Sequence, residues 1–216
     1  MLYFVTKVVI SFIIAILAAA CHLGSQAQSY LPLKNSFSFG SGIAGGISNS
    51  KGDYMDITNN PVCYNLSAEF RHYYTPTVGL GISYDYIGSS KYKSKMYSHY
   101  IAPTLTFRGL WANGKQGFWG SGGMGYLHYN DELYSKQYGN STFSKGYFAI
   151  SLTLGYEFAV APGIAMQIKG GMIMADWHAN PDYTPKWNRD DPNVYQSIFD
   201  NNLSYFSIGL GFIFGK

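Results

Sequence analysis

Charge is scarce in this sequence. Asp, Glu, Lys and Arg supply 12% of its residues, about half the share of an ordinary soluble domain. The formal net charge is only +3, which excludes the basic stripe of a nucleic-acid binder. Cysteine is scarcer still. Of the 2 present, Cys21 lies in the N-terminal apolar segment, so Cys63 stands alone and no intramolecular disulfide forms. Past that segment no apolar run approaches the ~18 residues of a spanning helix. Abundant instead are 20 Tyr, 14 Phe and 25 Gly. Few charges, many aromatics and glycines, and no spanning helix suit a sheet wetted by lipid on one face.

The N-terminus reads as an export signal. Lys7 precedes an apolar run from Val8 to Ala20, and Ser25-Gln26-Ala27 offers small residues at the positions a signal peptidase reads. Residues 1–27 are therefore expected to be a signal peptide, cut after Ala27, and residues 28–216 the folded domain. The run is short for a transmembrane helix. Leu17-Ala-Ala-Ala-Cys21 carries an alternative, acylation of Cys21, although its bulky aliphatic residue stands one place early. Cleavage removes Lys7 and no acid, so the net charge falls by one.

The remaining chain alternates. The end, Tyr205-Phe-Ser-Ile-Gly-Leu-Gly-Phe-Ile-Phe214, puts Phe206, Ile208, Leu210, Phe212 and Phe214 on one face and Ser207, Gly209 and Gly211 on the other. Side chains of a strand point alternately to its two faces. Seven more segments repeat the pattern: 36–47, 62–74, 78–87, 97–110, 117–129, 147–159 and 164–175. Each is near the ~9–11 residues with which a tilted strand crosses a bilayer. The charged members, Glu69, Arg71, Asp85, Arg108, Glu157 and Lys169, share the face of the glycines and serines. The faces carrying Phe148–Phe158 and Phe206–Phe214 hold no charge. A soluble barrel would place grease inside and charge outside; this pattern is the reverse.

Connections alternate too. Residues 75–77, 111–116 and 160–163 read as short turns; 48–61, 88–96, 130–146 and 176–202 read as long polar loops. Short turns on one rim and long loops on the other are the layout of a barrel in an outer membrane. The predicted fold is all-β: an eight-stranded antiparallel up-and-down transmembrane β-barrel with a filled lumen. Closure pairs every backbone polar group, as hydrocarbon requires. The even strand number puts both termini on the periplasmic side.

In the signal, in "GYFAISLTLGYEF" (residues 146–158) and in the closing "SYFSIGLGFIF" (204–214), the sequence resembles the small outer-membrane barrels of the OmpA/OmpX kind, in the divergent form of Bacteroides-like Gram-negative bacteria. The resemblance is one of pattern and spans residues 28–216. It implies insertion by the outer-membrane assembly machinery, which reads a terminal aromatic. Here Phe214 would serve, although Gly215 and Lys216 follow it. It implies no single activity, since such barrels include membrane-stabilising proteins, adhesins and lipid-modifying enzymes.

The six inward charges balance and are expected to pair, because an isolated buried charge is costly; they read as a structural plug more readily than as a proton or ion path. Glu157 and Lys169 are near-diagonal neighbours across the 160–163 turn. His99 and His128 are expected as cross-strand neighbours on the lipid side. Lipid-A deacylases of this architecture use His, Ser and an acid there, but no Ser and acid complete the set, so no catalytic residue is assigned. Lys91, Lys93 and Lys95 give the 88–96 loop a charge suited to lipopolysaccharide phosphates. The 176–202 loop, with Trp177, Trp187 and Tyr195 among its acids, is expected to contact a protein or glycan partner. Asn188-Arg189-Asp190-Asp191 matches no calcium-loop spacing, so neither metal nor cofactor is expected. The function expected is a non-enzymatic outer-membrane protein that stabilises the membrane or presents loops to a partner, among outer-membrane lipid and lipopolysaccharide. A lipid-modifying enzyme and a small pore are the alternatives.

Overall fold

A computed structural model describes residues 31, 34–46, 63–91, 94–135, 139–175 and 203–215. They form eight strands: β1 (Asn35–Gly46), β2 (Cys63–Tyr73), β3 (Val78–Lys91), β4 (Ser94–Leu110), β5 (Gln116–Ser135), β6 (Gly139–Ala161), β7 (Ile164–Ala175) and β8 (Leu203–Gly215). Each pairs with its sequence neighbour, and β1 pairs with β8, so the sheet closes into a barrel. Every pairing is antiparallel. No helix among the described residues is long and apolar enough to cross a membrane.

The alternation fixes the facing. Phe37, Phe39, Ile82, Leu105, Phe118, Leu154, Ile168 and Leu210 are exposed outward, while Ser38, Glu69, Arg71, Thr104, Glu157 and Lys169 are buried inside. Three short turns close one rim. In the first, the Val78 N–H donates to Thr75 Oγ1 at 3.0 Å. In the second, the Trp111 N–H reaches Gln116 O at 3.0 Å and Gly114 takes φ +62°. In the third, Gly163 takes φ +75°, a conformation natural only to glycine. The strand start at Asn35 and the strand end at Gly215 lie at this same rim, where Ser36 pairs with Gly215.

The opposite, open rim is uneven. β4, β5 and β6 run for 17, 20 and 23 residues, against 11 for β2 and 12 for β7. The last β6–β7 pair is Ala149 with Ala175, whereas β6 stays paired with β5 to Gly139. At ~3.3 Å per residue, residues 139–148 prolong the wall by roughly 30 Å along the strand. This corrects two expected loops. Residues 88–96 and 130–146 are mostly strand, with only 92–93 and 136–138 between the paired segments described. Their polar sequence resembled loop because nothing apolar need face outward once a strand has left the lipid; backbone pairing alone continues the sheet.

Candidate functional site

The lumen has two storeys. Near the short-turn rim the charges assemble. Glu69 accepts from both Arg71 Nε, at 3.0 Å, and Arg71 Nη2. Its other oxygen accepts from Lys169 Nζ at 2.5 Å. Arg71 also lies over the Trp119 ring, 3.6 Å from its centre, and donates to Gln167 Oε1 at 3.4 Å. Glu157 faces Arg108, 3.7 Å away, and Arg108 in turn covers the ring of Tyr73 at 3.8 Å. Two cations on Glu69 and two stacked guanidiniums are what a dry, narrow space demands of buried charge.

This differs from the expected diagonal pair. Gly155 stands opposite Lys169, and Glu157 opposite Gln167, so Glu157 and Lys169 are diagonal in register. Yet Lys169 crosses the lumen to Glu69 instead. In a barrel this narrow the strand across the lumen is as reachable as the strand alongside. Asp85 stands apart from these ion pairs; Asn65 Nδ2 donates to its carboxylate at 3.4 Å. Trp119, the largest fully buried side chain, had not been singled out. Its parity within β5 puts it inside, among small residues, which was the available signal.

Toward the open rim the interior becomes apolar. Cys63, Ile87, Met96, Tyr100, Leu127, Tyr129, Tyr147, Ile173 and Tyr205 pack there as one cluster. The outward face changes in the opposite sense: Lys95, Asn130, Glu132 and Ser144 lie on the outward parity of β4, β5 and β6, next beyond Tyr97, His128 and Gly146. The sheet is thus lipid-out for its first part and, in the described side chains just beyond, soluble-like with grease within. The polarity inverts at the row of His99 and His128.

Those two histidines are register partners. His99 Nδ1 lies 2.7 Å from Tyr84 Oη, with the rings of Tyr86 and Tyr97 at 5.0 and 5.8 Å. His128 Nδ1 lies 3.4 Å from Tyr126 Oη, and its Nε2 lies 3.4 Å from Ser144 Oγ. Ser144, read as part of a loop, is a strand residue beside the histidine. The atom facing His128 Nδ1 is a phenol, not a carboxylate. Among the described residues no group of three or more His, Cys, Asp or Glu is placed to hold a metal.

The predicted lysine row is divided. Lys91 ends β3, Lys93 lies outside the described residues, and Lys95 stands exposed on β4 between Ser90 and Glu132. Lys91 and Lys95 therefore stand on adjacent antiparallel strands and not along a single extended segment. Trp177, Trp187 and Tyr195 lie outside the described residues. At the short-turn rim, Leu31 packs with Ala165 and Ile213, and its N–H donates to Gly114 O at 3.3 Å.

The geometry defines a class: the chain has the fold of the small eight-stranded outer-membrane β-barrels. It is similar to Neisserial surface protein A, with a TM-score of 0.57 at 7% identity, over 84% of this chain and 97% of that one. It is similar to OprG of Pseudomonas aeruginosa, with 0.52 at 10%, over 88% and 100%. It is similar also to Ail, the attachment invasion locus protein of Yersinia pestis, with 0.50 at 11%, over 85% and 99%. No protein-family model matches the sequence, and no curated protein matches it.

Proposed function

We propose that the chain is a non-enzymatic integral protein of the outer membrane that presents its open rim to a partner outside the cell. The observation that carries this reading is the uneven wall: among the described residues β4–β6 stay paired well past the lipid belt, whereas the described parts of β7, β8 and β1 reach only Ala175, Leu203 and Gly46. A barrel that only stabilised the bilayer would need no such projection. A fold neighbour is named for attachment and invasion, work for which a projecting wall is suited. In this reading residues 1–27 direct export, both termini are periplasmic, and the assembly machinery inserts the barrel. The 176–202 segment, with Trp177, Trp187 and Tyr195, adds to the contact surface for a protein or glycan.

The test trims the tip of the projecting β5–β6 hairpin and keeps the barrel. Glu132 and Thr142 are register partners, so an Asn-Gly turn between them can replace residues 133–141. The shortened protein should insert normally and lose the native protein's partners on co-purification from mild detergent. Retention of every partner, both here and after shortening 178–200, refutes the reading.

A lipid-hydrolysing role has one contact in its favour, His128 Nε2 with Ser144 Oγ. Against it, His128 Nδ1 faces Tyr126 where a triad needs a carboxylate. Lipid-A mass spectra with and without the protein decide between them; an acyl chain lost only in its presence would establish the enzyme.

A further inference from the structure

The row at which the barrel inverts its polarity holds more than an ordinary aromatic girdle requires. A girdle needs rings with one polar tip. Here the outward face of β3, β4, β5 and β6 gathers Tyr84, Tyr86, Tyr97, His99, Tyr126 and His128, with Lys95 and Ser144 a step further out. The opposite flank is different. The outward residues toward the open rim on β7, β8 and β1 include Met174, Phe206 and Ile43, none of which ends in a hydrogen-bonding group. Among the described residues the polar rings are therefore gathered on one side, with Ser204 the single hydroxyl on the outward parity of β8.

The hydrogen bonds turn that patch into donors. When the Tyr84 hydroxyl donates to His99 Nδ1, the proton of the neutral ring sits on Nε2, pointing away from the tyrosine. His128 repeats the arrangement: Tyr126 faces Nδ1, and the Nε2 proton faces Ser144 Oγ, whose own hydrogen is then free to point outward. The His128 proton is thereby spent on Ser144, which leaves the His99 Nε2 proton, the Ser144 hydroxyl and the Lys95 ammonium as the open donors. Among the described side chains Glu132 is the carboxylate beside them, directly across from Lys95. A row of donors on a lipid-facing wall, at the level where lipid ends and water begins, meets the headgroups of the surrounding leaflet.

We propose that His99, Ser144 and Lys95, with His128 orienting Ser144 and the tyrosines orienting the rings, bind the phosphate groups of an outer-leaflet phosphorylated glycolipid of the lipopolysaccharide class. The site rests on the open rim facing the outer leaflet, but not on any partner of the projecting sheet. Phosphate offers acceptors only, and hydrogen bonds from charged or oriented donors to it are the strong kind. Glu132 opposes the ligand and limits its hold, which gives the site a residue whose removal should strengthen binding.

The test uses the full-length barrel, cleared of any signal, in phosphatidylcholine nanodiscs doped with diphosphoryl lipid A, dephosphorylated lipid A or phosphatidylglycerol. Lipid retained after exchange is read by native mass spectrometry. The wild type should retain diphosphoryl lipid A in preference to both others. His99→Phe with His128→Phe should weaken that retention about tenfold, the usual effect of losing hydrogen bonds to a charged group. Glu132→Gln should strengthen it, and being on the water side of the belt it tests the site even if the histidine variant folds poorly. Equal retention of phosphorylated and dephosphorylated lipid A overturns the proposal. So does retention of phosphatidylglycerol matching that of diphosphoryl lipid A, which would mean general attraction to anions. Unchanged binding in both variants does the same. Failure here leaves the projecting sheet's partners untouched, and loss of those partners leaves this affinity intact.

Discussion

Lys169 Nζ lies 2.5 Å from Glu69 Oε1, reaching across the lumen from β7 to β2. The same carboxylate is held by Arg71 on its own strand, so two cations share one acid. The neighbouring acid on β6, Glu157, belongs to Arg108. Lys169 is thus assigned by reach across a narrow barrel and not by adjacency in the sheet, whereas Arg71 serves Glu69 from two residues along its own strand.

The partition sets an order of cost. Glu69→Gln strands two buried cations and should destabilise by roughly 3–5 kcal/mol, the penalty of an uncompensated buried charge. Lys169→Met leaves Glu69 with Arg71 and should cost less, about 1.5–3 kcal/mol, one charged hydrogen bond. A double-mutant cycle should find strong coupling between residues 69 and 169 and, between 157 and 169, no more than ~0.5 kcal/mol. Reversible urea unfolding in vesicles measures all three. Strong coupling of 157 with 169 would restore the diagonal pair.

Trp119 occupies the space that Gly155 leaves. The two are register partners on β5 and β6, and a Cβ at 155 would come within 2.4–2.6 Å of the indole ring. Gly155→Ala should therefore displace the ring from Arg71 and cost about 1–3 kcal/mol, as overpacking does. Trp119→Leu should relieve most of that penalty in the double variant. Additive costs in the cycle would show that the ring does not need the glycine.

Leu154 is 43% exposed on the outward face near the middle of β6. Leu154→Arg places a charge in lipid and should cost ~2–4 kcal/mol, whereas Leu154→Ala should cost much less. Unfolding free energies in vesicles that do not distinguish Arg from Ala would refute the lipid facing.

The closed storeys predict silence in planar bilayers. Tyr100 and Leu127 in the apolar layer, and Trp119, Arg108 and Glu157 in the charged layer, are each no more than 1% exposed. The purified protein should give no steady conductance. Removing bulk from one layer, as in Tyr100→Ala with Leu127→Ala, should leave it silent because the charged layer still blocks. An ohmic wild-type channel would show that the lumen opens.

The sequence by itself determined the barrel. Lipid demands apolar side chains on every second residue and forbids an unpaired edge, so strand number, facing and closure were all legible between residues 36 and 214. The His99–His128 pairing was legible too, because a tight turn at 111–116 fixes the register on both sides. Three features were decided only by the tertiary structure. Which acid takes which base depended on distances across the lumen, which no strand-by-strand reading contains. The length of β3–β6 was hidden because, past the lipid, outward residues such as Asn130, Glu132 and Ser144 lose the apolar period that marked them as strand. The apolar upper core of Ile87 and Leu127 was hidden for the same reason. Once the outside is water, the hydrophobic effect moves grease to the inside, and a pattern read with one rule for the whole strand misses the level at which the rule reverses.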